Sequence, residues 1–248
     1  MNRDISAIKT LAMDSIRSTV LGKRVYVPII ITIFLVVVMF YGSRENGSLG
    51  TGVNMMDSLV ISFFSVLLAM VYGTSIIRSD IEDRSIINVL TAPVHRSLTF
   101  LTYYISAFVS VSFVMVFITT AAYLSYFFPT GLTWFRFDYF ISFLWLILLS
   151  SLVYTALFVT MGLIVKKPVY LGLFYVFVWE GFVGELSGRI GEFTINHFIL
   201  SLGSNFFEHG NISEYSGAST GASLLVLMIL WAVLLALGTY LFTKKELY

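Results

Sequence analysis

Long apolar runs alternate along the chain with short polar ones, and this alternation sets the expected elements. A run of about 20 predominantly apolar residues is what an α-helix needs to cross the hydrocarbon core of a bilayer. Six segments carry that pattern: 25–41, 56–77, 98–128, 140–165, 169–184 and 222–242. They predict an all-α, polytopic membrane protein with six transmembrane helices, forming a single transmembrane domain over residues 1–248. Pro28 is tolerated in the first turn of the first span. The third run is longer than the hydrocarbon core and must tilt or project from it. The fifth is short.

The polar intervals carry patterns of their own. In 1–24, Ile5, Ile8, Ala12 and Ile16 share one helical face, which predicts a helix lying in the interface plane. Residues 43–54 (SRENGSLGTGVN) read as a glycine-rich loop. The interval 78–97 places Ile86, Val89 and Leu90 at helical spacing, with Asp80, Glu82 and Asp83 near the start, where the helix dipole favours acids. Pro93 ends that pattern, because the residue before a proline is pushed out of the α region. The interval therefore predicts a short amphipathic helix held at the membrane surface. Trp134, Phe135, Phe137 and Tyr139 read as an interfacial aromatic belt. Residues 166–168 form a tight turn. In the mixed stretch 185–221, Ile195, Phe198, Ile199 and Leu202 repeat at helical spacing, predicting an external re-entrant or amphipathic hairpin after the fifth span.

Composition agrees with a membrane protein: 58% of residues are hydrophobic and only 12% charged, far below the charge of a soluble domain. Cysteine is absent, which excludes disulfides, thiolate metal sites and a cysteine nucleophile. The net charge is +1, and its distribution matters more than its size; no nucleic-acid partner is expected. With six spans, one side holds Arg3, Lys9, Arg17, Lys23, Arg24, Arg78, Arg84, Arg96, Lys166, Lys167, Lys244 and Lys245; the other holds Arg44, Arg136 and Arg189. The positive-inside rule then makes both termini and the 78–97 loop cytoplasmic.

Few residues suggest chemistry. Glu180, in VFVWEGFVGEL, is an ionisable residue at or near membrane depth. It is either part of a transport path or an anchor at the outer headgroups. His197 and His209, with Glu192 and Glu208 nearby in sequence, are weak grounds for a metal site, and none is expected. No G-x-x-x-x-G-K-[ST], G-x-S-x-G or H-E-x-x-H pattern occurs, so no catalytic residue is assigned and the chain itself is not expected to be an enzyme.

The 78–97 interval also resembles the first cytoplasmic loop of type-2 ATP-binding-cassette (ABC-2) permeases. The matching positions are Glu82, Ser85, Ile86, Leu90, Pro93, Val94 and Arg96, with Arg84 standing where glycine is usual. A second segment, roughly 175–202, resembles the fifth span and external hairpin of small bacterial and archaeal members. The resemblance implies that Glu82, Ser85, Ile86, Leu90, Pro93 and Arg96 couple to a separate ATPase subunit. That partner would bind ATP and Mg, leaving this chain without a cofactor. It further implies a second permease subunit, the same or homologous, and export across a bacterial or archaeal plasma membrane. The alternative is a secondary transporter or channel that works without an ATPase; it calls for buried charges along several spans, where only Glu180 is a candidate.

Overall fold

A computed structural model describes residues 25–82, 95–129, 131, 135–184, 191–215 and 217–244. These residues are almost wholly helical, and no strand occurs among them. Helix α1 is Tyr26–Asn46. Helix α2 runs without a break through Leu49–Met55, Met56–Phe64 and Ser65–Glu82. Helix α3 is Arg96–Phe127 and α4 is Phe137–Ile164. Helix α5 is Pro168–Val183, the short α6 is Ile195–Gly203, and α7 is Thr220–Lys244. Five helices are long and apolar enough to cross a membrane. Helix α5 is the sixth apolar element and is shorter than those five.

Burial separates the helices by what they face. In α1, Ile31, Leu35 and Met39 are buried at four-residue intervals, the stripe that one helical face presents. Ile29, Ile30, Ile33, Phe34 and Val37 on the remaining faces are exposed, as apolar side chains are where lipid is the solvent. Helices α2 and α4 are instead buried on most sides and form the centre of the bundle. Glycines let them approach. A Cβ on Gly73 would lie 2.8 Å from the Phe158 Cβ, and one on Gly162 would lie 3.1 Å from the Thr74 carbonyl oxygen. Small residues at helix crossings serve this purpose in membranes, where lipid is as apolar as leucine and close packing must drive association.

Hydrogen bonds between helices add to the packing. The Ser150 hydroxyl donates to Ser65 Oγ (3.0 Å), Tyr104 OH donates to the Leu152 carbonyl (3.1 Å), and Trp231 Nε1 donates to Tyr104 OH (2.7 Å). Each such bond contributes about 0.6–2 kcal/mol in a membrane setting.

Three expectations need correction. Residues 43–54 are not a loop: α1 continues to Asn46 and α2 begins at Leu49, so the second span starts seven residues before Met56. The reason is a local cap, since Ser48 Oγ accepts the Thr51 N–H (3.2 Å) and satisfies a donor at the new helix start. Tyr139 is not an interfacial belt residue. It is buried, its hydroxyl accepts the Glu208 N–H (2.9 Å), and its ring meets Phe207. Phe135 packs edge-on against the Tyr123 ring, while Phe137 is exposed as expected. Trp134 and the 1–24 helix lie outside the described residues. The helix expected from Ile195, Phe198, Ile199 and Leu202 is α6; Ile195, Ile199 and Leu202 are buried and Phe198 is half-buried.

Candidate functional site

Two places in the bundle concentrate unusual polar structure, one at each end of α2. At one end, Met56–Phe64 in α2 and Tyr175–Val183 in α5 are both π-helical, with i→i+5 bonding. Such widened turns are rare and occur frequently at functional sites. The two segments touch through the Phe63 and Phe177 rings, 6.0 Å apart.

Glu180 sits in the α5 π segment and is only 7% exposed. Its Oε1 accepts Tyr175 OH (2.6 Å) and the Ile195 N–H (3.2 Å), and its Oε2 accepts the Asn196 N–H (3.3 Å). Fully buried Tyr154 stands beside the same carboxylate. Ile195 and Asn196 open α6, where the first N–H groups have no partner within the helix and the dipole is positive. The carboxylate meets both needs. Thr194 completes the cap, its Oγ1 accepting the His197 N–H (3.3 Å). Asn196 Nδ2 then donates to Ser62 Oγ in the α2 π segment (3.0 Å). The first turn of α6 thus clasps α5 and α2 together through polar groups alone.

Behind it, His197 Nδ1 and Tyr215 OH share a hydrogen bond of 2.7 Å. Burial lowers the His197 pKa and raises that of Tyr215, keeping both side chains neutral. His209 is likewise engaged, its Nδ1 lying 3.2 Å from Tyr139 OH. At the start of α4, Arg136 forms a 2.6 Å ion pair with Asp138, which raises the Arg136 pKa further.

At the other end of α2, Glu82 is the last residue of the helix. Ser85, Ile86, Leu90 and Pro93 lie outside the described residues. Arg96 opens α3, and its Nη1 donates to the Thr243 carbonyl (3.4 Å) near the C-terminus of α7, the end of a helix that attracts cations. A separate apolar cluster surrounds this end, with Ile77, Phe100, Tyr103, Leu163 and Phe242 buried together. Gly238 of α7 sits directly against the Phe100 ring and 2.8 Å, from an idealised Cβ, to Thr160 Oγ1.

A family model described as an ABC-2 family transporter protein matches residues 6–247. The chain belongs to that family. The ABC-2 match spans nearly the whole chain, including both segments on which the resemblance rested. Among curated proteins none matches the chain. Membership makes this a multi-pass membrane protein and the membrane permease component of an ABC transporter, a transport component and not itself a catalyst. ABC-2 permeases generally work with an ABC ATPase partner.

Within this permease, the structure assigns Glu180 contacts that neither reading of its position anticipated: it is neither exposed at the headgroups nor free in a path, but bound at the start of α6. Sequence reasoning missed its partners Tyr175 and Asn196, and it missed Ser62 and Tyr215. It also missed Asp57. This acid in the α2 π segment is 9% exposed, and its Oδ1 has no hydrogen-bond partner. The signal was present, since Asp57 is the second residue of an apolar run.

Proposed function

We propose that the chain is the permease subunit of an ATP-driven ABC exporter. Its 78–97 loop docks a separate ATPase subunit, which binds the ATP and Mg, and a second permease subunit completes the path. The protein is placed in a bacterial or archaeal plasma membrane with both termini and the loop cytoplasmic. The twelve-to-three division of Lys and Arg supports that orientation, and the family membership supports the partner.

The observation that carries the reading is the continuity of α2. One helix bears Ser62, part of the polar clasp with α6, and Glu82, where the coupling loop begins. The 20 residues between them span about 30 Å at helical rise, the thickness of the hydrocarbon core. A push on the loop is therefore delivered along a single rigid element to the clasp at the opposite face.

Ile86 and Leu90 are the apolar anchors of the docking helix, and truncating such an anchor commonly costs more than about 1 kcal/mol of binding. Leu90→Ala and Ile86→Asp are expected to release the ATPase or uncouple hydrolysis from transport, with membrane insertion unchanged. Glu82→Gln is expected to act in the same direction, more weakly and most visibly at low salt. Co-purification of the ATPase with wild type and with Leu90→Ala measures this. Transport that persists without ATP, from a wild-type chain that retains no ATPase, overturns the reading in favour of a secondary transporter.

A further inference from the structure

Beneath α6 lies a partly enclosed cavity of about 320 Å³, within the size range of small-molecule sites. The α2 and α5 π segments form two of its walls, and α6 with Tyr215 forms the rest. Its polar lining is dominated by acceptors. Asn196 Oδ1 is buried without a hydrogen-bond partner, because the other end of that amide is committed to Ser62. Glu180 lines the cavity with a carboxylate that only accepts, and Ser58 Oγ spends its proton on the Asn54 carbonyl (2.8 Å). Asp57, adjacent in the chain to Ser58, adds a second buried acid at this end of α2. Among the described residues, no Lys or Arg lines the space.

A buried acceptor with no donor costs about 1–3 kcal/mol, so the lining is incomplete without a species that brings N–H or O–H groups. The negative charge asks that species to be cationic. Phe63 and Tyr215 add aromatic surface on which a cation is stable. We propose that this cavity binds a primary ammonium group, held by Glu180 and Asn196 Oδ1. The group belongs either to a small free amine or to the head of an amine-bearing phospholipid. Binding here requires no ATPase, so the site stands or falls separately from the ATP-coupled reading.

The test uses the purified full-length chain in phosphatidylcholine nanodiscs, whose lipid head has no N–H. Ethanolammonium chloride is titrated by calorimetry at constant ionic strength, with tetramethylammonium chloride as the cation that cannot donate. Saturable ethanolammonium binding is expected, with tetramethylammonium about tenfold weaker or worse, as for sites built to hydrogen-bond their ligand. Glu180→Gln keeps acceptor oxygen while removing the charge and is expected to weaken ethanolammonium about tenfold or more. Gly181→Leu supplies a second variant, filling the cavity from its α5 wall without touching a hydrogen bond, and should abolish binding. Weaker ethanolammonium binding when phosphatidylethanolamine is added to the nanodiscs identifies the lipid head as occupant, and unchanged binding identifies a free amine. Absence of saturable binding, equal affinity for the two cations, or wild-type affinity in both variants overturns the proposal.

Discussion

The two ends of α2 are held in contrasting ways. At the α6 end the contacts are directional: one carboxylate takes three donors, Asn196 reaches Ser62, and His197 meets Tyr215. At the coupling end the contacts are mainly apolar surfaces, with Phe100, Tyr103 and Phe242 packed around Gly238, and one long hydrogen bond from Arg96 to Thr243. Apolar packing is non-directional and changes gradually when helices slide. A buried hydrogen-bond network does not, because a half-broken one leaves polar groups unpaired. The comparison teaches that this permease has an end suited to sliding and an end suited to switching, joined by one helix.

The largest effect expected is at the directional end. Glu180→Ala leaves two α6 N–H groups and Tyr175 OH without their acceptor, and thermal unfolding in detergent should show a loss of about 3 kcal/mol. Glu180→Gln keeps an oxygen acceptor and should cost clearly less. If the two variants unfold alike, the clasp does not depend on the acceptor and the contrast fails.

Gly238→Leu tests the apolar end. The new side chain meets the Phe100 ring and Thr160, and overpacking of this kind costs about 1–3 kcal/mol. Because packing yields gradually, Gly238→Ala should recover part of the loss by a small shift of α7. An all-or-none response there would make the two ends alike.

A smaller effect is expected from Ser62→Ala, which removes the acceptor for Asn196 Nδ2 and leaves the Glu180 contacts in place. About 1 kcal/mol is expected, the scale of one interhelical hydrogen bond in a membrane. Combining it with Glu180→Gln should give a non-additive result, since both act on the first turn of α6. Simple additivity would show that the contacts to α5 and α2 are independent.

The smallest effect concerns pH. Burial holds the His197 pKa below its unfolded value near 6.5, so the folded protein binds fewer protons there than the unfolded chain. The stability tied to neutral His197 is present above about pH 6.5 and is lost progressively as pH falls below it. His197→Gln should flatten the pH dependence of the unfolding temperature between about pH 5 and 7. A slope unchanged in the variant would assign it to another group.

Much of the architecture was legible before any coordinates. A segment crossing a bilayer must satisfy its backbone internally and show apolar side chains to lipid, so its composition records its fate directly. The spans and α6 were found from that record, and Glu180 was found because a lone acid in an apolar run is conspicuous. The coupling-loop residues were legible only through resemblance to a family, which the match over residues 6–247 established for the chain as a whole. Other features left weak traces or none. The helix start at Leu49 hid behind glycines and depended on the Ser48 cap. The burial of Tyr139 depended on the segment around Phe207 folding over it.

The bond partners of Glu180 had no trace at all. Two of the three donors are backbone N–H groups at positions 195 and 196, and any residue other than proline there would supply them. Hydropathy by itself determined which stretches of this protein lie in the membrane, because each residue meets lipid or water largely on its own account. Only the tertiary structure decided what Glu180 does, because the groups that meet it are common to nearly every residue, and their position, not their identity, makes the clasp.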